Sequence, residues 1–117
     1  MIRIENRFGT IEVSPEYFRH LVGEAVSSCY GVVGMVSKSP TKGLRALFGR
    51  DTKVEEGVRV RADGDRLVVD VHIEVVFGMN ISAIAKSIVN KVRYTIEEAT
   101  GLTVKKVNVF VDGIQPE

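Results

Sequence analysis

Between Leu67 and Leu102 the hydrophobic period of this chain changes once, from two to 3.6, and that change limits what the chain can fold into. Leu67, Val69, Val71, Ile73 and Val75 occupy every second position, so an extended segment there is apolar along one face. After Phe77-Gly78, the residues Ile81, Ile84, Ala85, Ile88, Val89, Val92 and Ile96 follow the i, i+3, i+4, i+7 spacing of an amphipathic helix. Asn80 or Ser82 can cap its start, and Thr100-Gly101 supplies its stop. The strand face and the helix face can cover each other, and the rest of the chain must fit around that pair.

Residues 1–13 read as extended, with Ile2 and Ile4, then Ile11 and Val13, alternating about Phe8-Gly9. Ser14-Pro15-Glu16 starts a helix, with Ser14 as N-cap, Pro15 in the first helical position and Glu16 at the positive end of the helix dipole. Phe18, Leu21, Val22, Ala25, Val26 and Cys29 form its apolar stripe, and Gly31 ends it. The β-branched run Val32-Val33-Gly34-Met35-Val36 reads as a short buried strand. Farther on, Asp63-Gly64 signals a two-residue hairpin turn that pairs Ala62 with Asp65, Val60 with Leu67 and Val58 with Val69. That register puts the apolar residues of both strands on one face and Arg59, Arg61, Arg66, Val68, Asp70, His72 and Glu74 on the other; a three-residue loop would mix the faces. Leu102 to Val111 forms a last strand whose parity slips at Lys105-Lys106, marking either a bulge or a strand that begins there, and Asp112-Gly113 closes it. Strand–helix–strand order occurs twice, at 10–36 and 67–111. The expected class is α+β: two helices packed on one face of a predominantly antiparallel, mixed sheet, a two-layer sandwich with its other face partly exposed.

At 117 residues the chain is long enough for one core and is read as a single domain, 1–117, with a loop insertion at about 37–56. Ser, Pro, Thr and Gly gather at Ser39 to Gly43, and Lys38, Lys42, Arg45, Arg50 and Lys53 face only Asp51. Residues 37–53 thus carry a local +4 in a chain of net +1, leaving −3 elsewhere. That balance exerts no global pull toward nucleic acid or membrane. A lone Cys29 suits a reducing compartment, and neither a run of eighteen apolar residues nor a signal-peptide core is present, so a cytoplasmic protein is expected.

Few residues offer chemistry. Asp70, His72 and Glu74 share one strand face at i, i+2, i+4, a pattern that can seed a metal or acid–base site. Same-face neighbours on one strand diverge too far to meet one ion without ligands from elsewhere, and ion pairing to Arg59 and Arg61 is the better reading. His20 lies off the apolar stripe of its helix, and Cys29 lies on it as a buried, inert thiol. No Gly-x-Ser-x-Gly elbow or glycine-rich phosphate loop occurs. The expectation is no catalytic residue, metal, cofactor or small-molecule substrate. Gly31-Val32-Val33-Gly34 shares letters with the GxxG loop of KH domains, but its middle pair is apolar and a strand follows.

Two surfaces remain as candidates for binding. One is the outward sheet face, where Val68, His72, Val76 and Phe110 sit among charges. The other is the loop carrying Lys42, Leu44, Arg45, Leu47, Phe48 and Arg50, whose apolar residues among cations suit a partner groove or an anionic lipid surface. The alternative function is a nucleic-acid-binding module using the basic loop 37–53, disfavoured because its one aromatic residue makes no stacking platform.

Several of these stretches resemble the bacterial alkaline shock protein family, also called the envelope stress response or general stress protein family. They are Gly9-Thr10-Ile11-Glu12-Val13-Ser14, Gly31-Val32-Val33-Gly34-Met35, Val69 to Val75 before Gly78-Met79-Asn80-Ile81, and Thr100-Gly101-Leu102 followed by Val107 to Gly113. The segment Lys42 to Arg50 is similar to the family's Gly- and Leu-containing insertion, whereas Ser82 stands where many members have proline. The resemblance implies a small non-enzymatic protein of Gram-positive-type bacteria, involved in cell-envelope homeostasis. It implies a homo-oligomer in the cytoplasm, recruited to the inner membrane face by a membrane-anchored protein partner, with a link to fatty-acid metabolism by gene neighbourhood. It supplies no catalytic residues to carry over.

Overall fold

The computed structural model describes residues 1–35 and 57–116. In chain order these form β1 (Ile2–Asn6), β2 (Gly9–Val13), α1 (Pro15–Ser27), β3 (Val32–Met35), β4 (Val58–Asp63), β5 (Arg66–Val76), α2 (Ile81–Thr100) and β6 (Thr103–Gln115). The architecture is the α+β sandwich that the change of period implies, and β5 is its central strand.

β3 and β4 both run antiparallel to β5 and lie end to end along one of its edges: β3 opposes Val75 to Ile73, and β4 opposes Val71 to Arg66. The Gly57 carbonyl accepts from the His72 N–H at 2.8 Å, extending β4 backward by one bond. Residues 36–56 are therefore inserted between two neighbouring positions of a single edge. β6 lies along the other edge, parallel to β5, with α2 as the crossover that parallel pairing requires. Among the described residues β1 and β2 pair only with each other, as an antiparallel hairpin sheet. The two strand–helix–strand stretches are thus unlike in structure, since only the second returns to the sheet it left.

The inward residues of β5, Leu67, Val69, Val71, Ile73 and Val75, are fully buried beneath Phe18, Val22 and Val26 of α1 and Ile88, Val92 and Ile96 of α2. Burying each such side chain stabilises by about 1.5–3 kcal/mol before chain entropy is subtracted. Ile2 and Ile4 carry the β1–β2 hairpin into this core, while Ile11 on the second strand stays exposed. Ile81, the first residue of α2, is also exposed, so the buried stripe begins one turn later at Ile84.

α1 and α2 begin at side-chain caps. Ser14 Oγ accepts from the Tyr17 N–H at 3.2 Å with Pro15 at the first helical position, and Asn80 Oδ1 accepts from the Ala83 N–H at 3.0 Å. α2 ends at Gly101, whose φ of +73° places it in the left-handed region, and its last turn is tied to the next strand. There Thr100 Oγ1 donates to the Ile96 carbonyl at 2.7 Å, and Glu97 Oε2 accepts from the Val104 N–H at 2.9 Å.

Three local expectations are corrected. The β4–β5 turn is Gly64-Asp65, with Gly64 at φ +66° and no positive φ at Asp65, the pattern of a type II′ turn. Asp63 therefore opposes Arg66, and Val60 opposes Val69 in place of Leu67. That shift of two residues preserves every facing. β3 is an edge strand with Val33 as an unpaired bulge residue and exposed, because nothing pairs beyond it among the described residues. β6 continues past Asp112-Gly113 to Gln115, bulging at Lys105, where the parity slip allowed either a bulge or a strand start, and again at Asp112.

Gly31 is one place where glycine is required. Its φ is +92°, and a Cβ there would lie 2.8 Å from Ile84 Cδ1 and 3.2 Å from Met79 Cε. Gly31→Ala combines the left-handed penalty, about 1–2 kcal/mol, with displacement of a buried Ile84. The expected result is a loss of about 2 kcal/mol or more in a urea titration. An unchanged midpoint would show that the α1–β3 turn relaxes freely.

Candidate interaction surface

Alternation along β5 sends Val68, Asp70, His72, Glu74 and Val76 away from the helices, and the register brings Arg59 and Arg61 of β4 and Lys106, Asn108 and Phe110 of β6 beside them. The polar members are tied in separate pairs. Arg61 donates to Asp70 Oδ2 at 2.7 Å, and Asn108 donates to Asp70 Oδ1 at 2.8 Å. His72 Nδ1 lies 2.5 Å from Asp112 Oδ2; an ionised carboxylate only accepts, so Nδ1 is the donor. Asp112 shares the outward parity of Phe110, two residues before it on β6. Glu74 Oε2 accepts from Gln115 Nε2 at 3.1 Å, and Asp63 accepts from Lys105 at 2.8 Å.

Phe110 is the large apolar group of this face. Its ring stacks on His72 with centroids 4.6 Å apart and planes 14° from parallel, yet it remains 43% exposed. The Asp112 bond fixes the imidazole from one side, so the phenyl ring is held flat against a fixed support. Val76 is half-buried at the end of the strand. Val68 shares the outward parity but is only 4% exposed and lies outside the main core cluster. The register flanks it with Arg61 and Lys106, whose aliphatic stems are long enough to cover a valine.

The arrangement sets the charge of Asp70. Burial pushes its carboxyl up, but the hydrogen bonds from Asn108 and Arg61, together with the Arg61 charge, outweigh burial and hold it below the usual carboxylate value. A carboxyl lowered in the folded state stabilises the fold above its unfolded value, and that contribution is lost as the pH falls through the folded value. Asn108→Ala is therefore expected to raise the Asp70 midpoint toward the ordinary aspartate value, read by carboxyl NMR titration. An unmoved midpoint would mean that Asn108 does not hold this carboxylate. Asp63 is lowered too, first by its hydrogen bond from Lys105.

Asp70, His72 and Glu74 thus have partners of their own, and among the described residues no three His, Cys, Asp or Glu side chains gather as a metal ion would require. His20 is exposed on α1 and pairs with Glu24 at 3.5 Å, and Cys29 is buried with its thiol directed to the Ala25 carbonyl. The loop residues Lys42, Leu44, Arg45, Leu47, Phe48 and Arg50, and the nucleic-acid reading built on 37–53, lie outside the described residues.

The order of these elements can be set against known proteins. Residues 3–116 match the model of the alkaline shock protein family, described as having a cell envelope-related function. The chain belongs to the alkaline shock protein family. Membership bears out the resemblance carried by the sequence motifs. Among relatives, the chain is 36% identical over 115 residues to YloU of Bacillus subtilis (strain 168), covering 97% of this chain and 95% of that one. It is 33% identical over 114 residues to Spy1614 of Streptococcus pyogenes serotype M6, covering 97% and 94%. The fold of this alkaline shock family chain is also similar to a solved structure, MamM-CTD 215-293, at a TM-score of 0.51 and 16% identity, over 86% of this chain and 99% of that one. At such low identity the likeness is one of fold. Among the described residues, no helix is long and apolar enough to cross a membrane.

Proposed function

We propose that this member of the alkaline shock protein family is a non-enzymatic binding or scaffolding protein, serving cell-envelope homeostasis by holding a protein partner on the outward face of its mixed sheet. The observation that carries the reading is Phe110, exposed and yet stacked on a histidine that is itself hydrogen-bonded to Asp112. An aromatic ring ordered before binding loses little entropy on contact, which is how a few residues come to dominate an interface. Val76 adds apolar surface to the same face, and the paired charges around Phe110 supply the polar rim. The same pairing supports a role without catalysis, since Asp70, His72 and Glu74 are each engaged with a different partner and do not converge on one reacting atom. The partner we propose is anchored in the membrane and draws this chain to the inner face of the cell membrane.

A pull-down with membrane and soluble fractions kept apart tests this. The wild-type chain is expected to retain a membrane-fraction protein that Phe110→Glu fails to retain. Equal retention by both would remove the sheet face from the account.

A further inference from the structure

Among the described residues β6 is the longest strand, at 13 residues, and it pairs on one side only, with β5. Along the opposite margin of the sheet stand β3 and β4, of 4 and 6 residues, and residues 36–56 leave and return between them. An unpaired strand edge presents a row of N–H and C=O groups, and proteins shield such edges with short strands, charged residues or proline. The stretch Val107-Asn108-Val109-Phe110-Val111, which lies between the two bulges of β6, has no charge and no proline.

One side of α2 accompanies this edge. Lys86, Val89, Arg93 and Glu97 follow one another at steps of three or four residues, so they share one side of the helix. Glu97 fixes which side it is, because its carboxylate accepts from the Val104 N–H at the start of β6. Val107, Val109 and Val111 pack toward the core on the helix side of β6 and are only half-buried, as is Val89. A strand added to β6 would set alternate side chains against these valines and the others beside Lys106 and Phe110. Lys86, Arg93 and Lys106 are exposed, and the ion pairs among the described residues lie elsewhere. The neighbouring carboxylates Glu97 and Asp112 are already engaged, with the Val104 N–H and with His72.

We propose that the open edge of β6 takes an extended, acidic segment of a partner protein as an added strand. In such pairing the main-chain hydrogen bonds hold the segment and its side chains select it. Lys86 and Arg93 on the helix side and Lys106 on the outward side favour carboxylates in the incoming segment, and the half-buried valines favour β-branched residues between them. A second copy of the chain suits the edge less well. Pairing β6 with its own copy about a two-fold axis brings the two α2 helices side by side, each turning a row of net +1 toward the other. The proposal rests on the reading that this chain holds a protein partner, and it names the grip.

The test titrates the full chain into a fluorescein-labelled decapeptide that alternates Val with Glu, and into counterparts with Ser or Lys in place of Glu. The Glu peptide is expected to bind with a Kd below about 1 mM, and the other two at least about tenfold more weakly. Alternate amides between Lys106 and Val111 are expected to gain protection from hydrogen exchange, the mark of a strand added to this edge. Lys86→Glu and Arg93→Glu are each expected to weaken the Glu peptide at least about fivefold with an unchanged circular dichroism spectrum, since glutamate suits an exposed helix position. Should either variant unfold, Lys86→Gln or Arg93→Gln takes its place. No binding of the Glu peptide up to about 1 mM chain, equal binding of the three peptides, or binding that leaves the β6 amides unprotected overturns the inference. So does protection of the same amides on concentrating the chain alone, which would assign the edge to a second copy. Phe110→Ala separates this proposal from the outward face: lost binding without β6 protection keeps the face and removes the edge, whereas β6 protection that Phe110→Ala leaves untouched keeps the edge and removes Phe110 as an anchor.

Discussion

Ile88→Ala is expected to cost about 2–5 kcal/mol, a large share of the roughly 5–15 kcal/mol that holds a domain of this size together. Ile88 is fully buried in the middle of the α2 stripe, with Ile84 one turn before it and Val92 and Ile96 after it. Removing its outer carbons leaves a cavity between helix and sheet that neither layer can close, because the central strand is held on both edges by β3, β4 and β6. Ile81→Ala, on the same helix but exposed at its start, is expected to change stability by less than about 1 kcal/mol. Urea titrations of the two variants measure the contrast directly. Similar losses at both positions would mean that the buried stripe of α2 is drawn on the wrong residues.

That stripe was legible because one-sided burial imposes a period, and a period can be read from one segment alone. The caps were legible for the same local reason: Ser14, Asn80 and Gly101 satisfy or terminate backbone groups of their own helices. Pairing between distant segments leaves no such mark. The end-to-end placement of β3 and β4 and the parallel run of β6 depend on contacts that no single segment encodes. The β4–β5 turn shows the limit closely. Asp63-Gly64-Asp65 places one glycine between two aspartates, so the turn can be framed from either side, and alternation constrains parity but not a shift of two.

The outward face was legible in its parity and hidden in its details. Its charges and Phe110 follow from the alternation of β5 and β6, as does the Arg61–Asp70 pair. The His72–Asp112 bond was hidden because Asp112-Gly113 reads as the end of the strand, whereas β6 runs on to Gln115 and keeps Asp112 on the outward face. The burial of Val68 goes against its parity, at a position the register sets between Arg61 and Lys106 on two other strands.

Phe110→Glu is expected to leave a folded chain and to weaken partner capture by roughly 30-fold, the loss of about 2 kcal/mol that separates an anchoring residue from its neighbours. The fold survives because the ring lies outside the main core and forfeits chiefly its stack on His72, worth about 0.5–1.5 kcal/mol. Glutamate also sets a new negative charge beside Asp112, Glu74 and Asp70, so Phe110→Ala is the companion that removes the ring without adding charge. Both variants should lose capture to a similar degree, read by titration of the partner against immobilised chain. If only the glutamate variant fails, repulsion and not the lost ring is the cause, and Phe110 is not an anchor. If either variant unfolds, the ring belongs to the core.

The central claim, that this chain works by contact through its outward sheet face, is tested most directly by crosslinking inside cells. A photoreactive phenylalanine analogue is placed at Phe110 and, separately, at Tyr94 on the exposed side of α2. The account predicts a discrete crosslinked protein in the membrane fraction from position 110 and none from position 94. A crosslink from position 94 with none from position 110 would contradict it.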